Sequence, residues 1–157
     1  MELFVLRHGH AESEAPKDSL RALSALGKQE VEQVVRSNAE ALAGVQQLLV
    51  SPYLRAQQTA TIAAALLGDK PMETCDLITP GGRPSNVIQH IYNYAEAQGL
   101  DSIMLVSHQP LVGVLIDELC GLEPGRHRMA TASLAAIDSD IVAANCCHLR
   151  WVRHVLG

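Results

Sequence analysis

A chain of 157 residues with 48% hydrophobic and 18% charged residues is long enough to bury one core and too apolar to be disordered. Its net charge of −5 and 3% aromatic content argue against nucleic-acid binding, which needs basic surface and stacking rings. A phosphorylated ligand stays admissible if its cations are gathered locally. No apolar run approaches a membrane span and no secretory leader is read, so one cytoplasmic domain over residues 1–157 is expected. Cys75, Cys120, Cys146 and Cys147 form no C-x-x-C arrangement and read as reduced thiols.

Short apolar runs alternate with longer periodic segments, the pattern of an α/β protein. Leu3–Leu6 reads as a strand buried on both faces, followed by a polar loop from His10 to about Leu23. Ser24 caps a helix expected to reach about Leu42, with Val31, Val34, Val35 and Leu42 on its apolar stripe. Gln47–Val50 is the next strand. Ser51-Pro52 reads as the N-cap and first position of a helix running to about Leu67 and closed by Gly68. A short strand over Pro71–Cys75, a loop at Thr79–Gly82 and a helix from Ser85 to Ala97 follow. Ser102–Val106 is the third buried strand, and a helix begins at Pro110 and closes near Gly121. Ala132–Ile137 and Asn145–Val152 read as antiparallel edge strands. The expected fold class is α/β: a three-layer α/β/α sandwich with a mostly parallel central sheet.

Ligands of open α/β sheets bind beyond the carboxyl ends of the strands. Three such ends here read Arg7-His8-Gly9, Ser51-Pro52-Tyr53-Leu54-Arg55 and Ser107-His108-Gln109-Pro110. Arg7 and Arg55 can grip an oxyanion with paired charge-assisted hydrogen bonds. Helix N-termini near Pro52 and Pro110 add backbone donors and partial positive charge. Gly9 leaves room for backbone to approach a ligand. Neighbouring cations depress a histidine pKa, so His8 is expected neutral and nucleophilic, with His108 stabilising charge on phosphoryl oxygens.

These motifs, Leu6-Arg7-His8-Gly9, Ser51-Pro52-x-Leu54-Arg55-Ala56-x-x-Thr59 and Ser107-His108, resemble those of the histidine phosphatase superfamily, the phosphoglycerate mutase-like proteins. Asp18-Ser19-x-Arg21-x-Leu23, Gly27, Thr79-Pro80-x-Gly82 and Pro110-Leu111-Val112-Gly113 point to its small SixA-type branch, and the likeness spans residues 1 to 137. The resemblance implies that His8 is a phosphorylated nucleophile and that Arg7, Arg55 and His108 complete the phosphate pocket. It also implies substrate-binding positions at Gly9, Asp18 and Arg21.

Mutase-like members carry an asparagine where this chain has Glu14. They draw a glutamate general acid from a segment that here reads Leu77–Gly82 and holds no carboxylate. Esters need such an acid to protonate the departing alkoxide. Phosphohistidine does not, because imidazole leaves as a neutral, weakly basic ring. Asp18 and Glu14 remain as candidate acids, and Asp18 can also pair with Arg21 to hold the loop. The expected reaction is therefore dephosphorylation of a phosphohistidine-bearing protein such as a phosphotransfer domain, through a covalent intermediate and with no metal or organic cofactor. Phosphatase action on small esters and non-catalytic phosphoprotein binding are the alternatives. A metal site at His8-Gly9-His10 with Glu12 is a third, opposed by the charge of Arg7. Arg126-His127-Arg128 reads as a solvated loop or as a border of the pocket; His10, His90, His127, His148 and His154 carry no motif.

Overall fold

Strand β1, Glu2–Arg7, sits inside a six-stranded sheet of order β3-β2-β4-β1-β5-β6. The computed structural model describes residues 1–155, so positions 156 and 157 of the expected domain lie outside the described residues. Parallel pairing joins β1 to β4 (Ser102–Ser107), β4 to β2 (Gln47–Val50) and β2 to β3 (Met72–Thr74). Strands β5 (Leu134–Asp138) and β6 (His148–Arg153) run antiparallel on the other side of β1.

The two-residue period of β1 divides the core. Phe4 and Leu6 face α1 (Ala25–Ser37) and α3 (Leu54–Leu66), packing with Val31, Val35, Ala56 and Ala60. Leu3 and Val5 face α4 (Pro84–Gln98) and α5 (Leu111–Cys120), packing with Ile91, Val112 and Leu115. All six residues of β4 are buried, as expected for a strand covered on both faces. The result is the expected three-layer α/β/α sandwich. No described helix is long and apolar enough to cross a membrane.

The first expected helix is interrupted. It stops at Ser37, and a separate turn α2 spans Ala39–Leu42. Asn38 lies between them because its side chain donates to Val34 O at 2.7 Å, competing with the continuing helix for that carbonyl. Ser24 does cap α1, its Oγ accepting from Gly27 N at 3.0 Å. Ser51 does not cap α3, which begins only at Leu54 with Tyr53 as N-cap.

Candidate active site

The carboxyl ends of β1, β2 and β4 place their polar residues on one rim. His8 follows β1 directly, and its amide donates to Ser107 O at 3.1 Å, continuing the β1–β4 ladder past the strand end. His108 follows β4, and the two imidazole centroids stand 5.0 Å apart. Arg55 reaches His8 from the first turn of α3. Thr59 ties that turn to β1: Gly9 N donates to Thr59 Oγ1 at 3.2 Å, and Thr59 Oγ1 donates to Arg55 O at 2.8 Å.

The hydrogen bonds of His8 assign its protons. Nδ1 lies 2.7 Å from Gly9 O, a pure acceptor, so Nδ1 carries the hydrogen. Arg55 Nε donates to His8 Nε2 at 3.3 Å, so Nε2 presents its lone pair. Burial, with the charges of Arg55 and Arg7 behind it, lowers the His8 pKa to about 4. The sequence points to cations as the cause; burial is the larger one, since His8 is 6% exposed. His108 is lowered further, to about 3, by burial and then by His8 and Arg55. Both rings are thus neutral near pH 7.

Ser51 is spent on His108 rather than on a helix cap. Its Oγ accepts from Tyr53 N at 3.3 Å and lies 2.7 Å from His108 Nε2. When the Ser51 hydroxyl donates to Nε2, the His108 hydrogen sits on Nδ1, a buried atom without a protein partner among the described residues. The Tyr53 ring stands edge-on to His108 at 5.1 Å and lies under the Arg55 guanidinium, also at 5.1 Å. Sequence reading passed over Ser51 and Tyr53 as site members because Ser-Pro is equally a helix-start signature.

Arg7 is held by main chain. Its Nη1 donates to Met129 O at 2.8 Å, whereas its buried Nε has no partner among the described residues. Met129 belongs to the loop after α5, which therefore borders the site. In that loop His127 turns inward: its Nδ1 lies 2.8 Å from Oδ1 of Asp117, a carboxylate 3% exposed in the middle of α5. No sequence signal marks this pair, since Asp117 interrupts an otherwise apolar helix face without a neighbouring partner in sequence.

Asp18 contacts Arg55 as well as Arg21. Its Oδ2 accepts from Arg55 Nη2 at 3.1 Å, its carbonyl from Arg55 Nη1 at 2.7 Å, and its Oδ1 from Arg21 Nη1 at 3.0 Å. The Arg21 and Arg55 guanidinium groups hold the Asp18 carboxyl below the usual carboxylate range. Glu14 is exposed on the loop before this turn. His10, which a metal reading pairs with His8, instead bonds Ser24 Oγ through Nδ1 at 2.7 Å. Gly9 is required by packing: an added Cβ would lie 2.6 Å from Gly27 O. Gly27 is required in turn, since its own Cβ would fall 2.0 Å from His10 O.

Fold and rim together define an α/β protein with a neutral, buried histidine set among arginines. Residues 3–79 match the model of the histidine phosphatase superfamily, branch 1. The chain is 32% identical over 143 residues to the phosphohistidine phosphatase SixA of Escherichia coli K12, covering 89% of this chain and 86% of that one. It is 34% identical over 129 residues to a SixA homolog of Haemophilus influenzae, covering 77% and 78%. A solved structure of the protein histidine phosphatase SixA complexed with tungstate superimposes with a TM-score of 0.89 at 29% identity, over 98% of this chain and 97% of that one. The chain belongs to the histidine phosphatase superfamily.

Proposed function

We propose that this chain is a protein phosphohistidine phosphatase that works by transient phosphorylation of His8. The observation that carries the reading is His8 Nε2: unprotonated, 3.3 Å from Arg55 Nε, and in a pocket shared with His108. Two buried nitrogens of this pocket, Arg7 Nε and His108 Nδ1, have no protein partner among the described residues. Arg7 Nε is a donor, and His108 Nδ1 is one when Ser51 donates to Nε2; buried donors left unmatched cost free energy, and a phosphoryl group offers the acceptors they need. The names of the SixA relatives support a phosphohistidine substrate.

In the first step the Nε2 lone pair of His8 bonds to phosphorus as the substrate's N–P bond breaks. The electron pair of that bond stays on the substrate ring nitrogen. With a proton on its other nitrogen, the ring leaves as neutral imidazole and needs no general acid. Water then attacks phosphorus, the P–Nε2 pair returns to His8, and the proton of water leaves with phosphate or solvent. Arg7 and Arg55 neutralise the transferring group, and His108 donates to its developing charge. No residue here is assigned a metal or organic cofactor. Gly9 shapes the β1 turn that aims His8, while Asp18 and Arg21 form the pocket rim. The partner is a protein displaying phosphohistidine, such as a phosphotransfer domain, because a side chain presented on a surface can enter an open rim. A cytoplasmic setting fits four cysteines that are all free thiols.

Brief exposure to a protein substrate carrying radiolabelled phosphohistidine tests the reading. Acid-labile label should appear on His8 and chase into inorganic phosphate. Phosphate release without label on the chain would refute the covalent mechanism, and protected label would mark a binding module.

A further inference from the structure

Both nitrogens on the working edge of Arg55 already have partners. The side-on edge of a guanidinium, Nε with Nη2, is the one that matches an oxyanion in bidentate fashion. Here Nε faces His8 Nε2 and Nη2 holds Asp18 Oδ2. A phosphoryl group bonded to His8 Nε2 must bring its oxygens to that same edge. Nη2 has a second N–H to give, but a phosphoryl oxygen taking it would stand beside the Asp18 carboxylate on the same nitrogen, where like charges repel.

We propose that Asp18 is an internal competitor for Arg55, which yields the guanidinium to the phosphoryl group and reclaims it when orthophosphate leaves. The inference rests on the reading of Arg55 as a phosphate ligand. Three observations make the exchange mechanically easy. The 3₁₀ turn Asp18–Leu20 contains no buried residue, so moving it exposes little core. The Asp18 side chain is 55% exposed, and Lys17 and Arg21, on either side of the turn, are in extended conformation. Arg21, bound to Asp18 Oδ1 and to Glu12 O, gives the carboxylate a second cation to stay with after it releases Arg55. Held ionised by the two arginines, Asp18 is a poor proton donor, so its place beside the nucleophile serves exchange rather than acid catalysis. Its effect on the reaction is to weaken the hold on free orthophosphate and so to speed product release.

The opposite role, a strut that pre-orients Arg55, predicts the opposite sign in one measurement. Tungstate and inorganic phosphate are titrated calorimetrically into the full chain, the Asp18→Asn variant and the Asp18→Ala variant. Competition predicts roughly three- to ten-fold tighter binding in both variants, a modest factor because the carboxylate is half exposed and screened. Product inhibition by phosphate should strengthen by the same factor. Unchanged or weaker oxyanion binding in the folded variants overturns the proposal. Asp18→Asn keeps the shape and hydrogen-bonding oxygen of the turn, so it remains informative if Asp18→Ala perturbs folding. Failure of the unmodified chain to bind either oxyanion would instead sink the phosphate-pocket reading itself.

Discussion

The parallel and antiparallel halves of the sheet serve the site by different means. Strands β1, β2 and β4 point their carboxyl ends at one rim, and each ends there in polar side chains of the candidate site: Arg7 and His8, Ser51 and Arg55, His108. Strand β5 arrives at that rim by its amino end, since Leu134 pairs with Leu6. What it and its preceding loop contribute is main chain: Met129 O to Arg7 Nη1, Ser133 O to Arg7 N, and Ala132 N to His8 O. Strand direction explains the split. A parallel strand hands its terminal side chains to the loop and helix that follow it, whereas an antiparallel strand entering the rim supplies the backbone that closes the pocket. Chemistry is therefore concentrated in one half, and its alignment depends on the other.

Substitutions in the two halves should separate these contributions. The largest effect is expected from His8→Ala, which removes the proposed attacking nitrogen. Phosphate release from a phosphohistidine protein should fall by roughly a thousand-fold or more. The thermal midpoint should move little, because the ring contributes two polar contacts, to Gly9 O and Arg55 Nε, rather than core packing. Substantial residual release would show that the parallel half supplies its nucleophile elsewhere.

Arg55→Ala comes next. It should weaken tungstate binding by about 1.5–3 kcal/mol for each charge-assisted hydrogen bond lost, roughly ten-fold or more. Unchanged affinity in the titration would mean that the guanidinium serves Asp18 and the fold alone.

How far the rim was legible in sequence follows the same division. Arg7, His8, Arg55 and His108 could be read because each lies at a strand-to-helix junction, where chain direction alone fixes the rim. The three layers were legible too, since β1 and β4 are continuous apolar runs and the helices carry apolar stripes. Contacts made through space were not. Ser51 has a hydroxyl that can cap a helix or bond an imidazole, and only the 2.7 Å approach of His108 decides between them. Asp18 reaches Arg55 across 37 positions, and the Met129 carbonyl reaches Arg7 across 122. A main-chain acceptor has no residue signature at all. The break at Asn38 is a local competition that an apolar stripe continuing to Leu42 conceals.

Acid should expose the burial of the two rings. Their folded pKa values, about 4 for His8 and about 3 for His108, lie below the unfolded value of 6.5. The unfolded chain therefore binds more protons as pH falls below 6.5, and folding stability falls with it. The contribution of the neutral rings is fully present above 6.5 and is lost progressively down to about pH 4 and 3. Urea melts at pH 7 and pH 5 should differ by roughly 2 kcal/mol for each histidine. In ring-nitrogen NMR, His8 should keep its neutral signature at pH 5; an inflection near 6.5 would show that the ring is not desolvated.

The antiparallel half offers the mildest test, His127→Ala. Asp117 is 3% exposed, its Oδ2 has no partner among the described residues, and His127 is the hydrogen-bond partner of its Oδ1. Removing the imidazole leaves a buried carboxylate unmatched, which should lower stability by about 1–3 kcal/mol. The loop lies close on α5, since a Cβ on Gly113 would stand 2.1 Å from His127 O. Loosening it should let the Met129 carbonyl drift from Arg7 and cost tungstate affinity only about two- to five-fold, because Arg55 and both histidines keep their places. His127→Asn, which retains a donor near Asp117, should restore part of both losses. A full loss of oxyanion binding in folded His127→Ala would show that the loop supplies more than backbone alignment. Wild-type affinity together with wild-type stability would show that Arg7 is oriented without it.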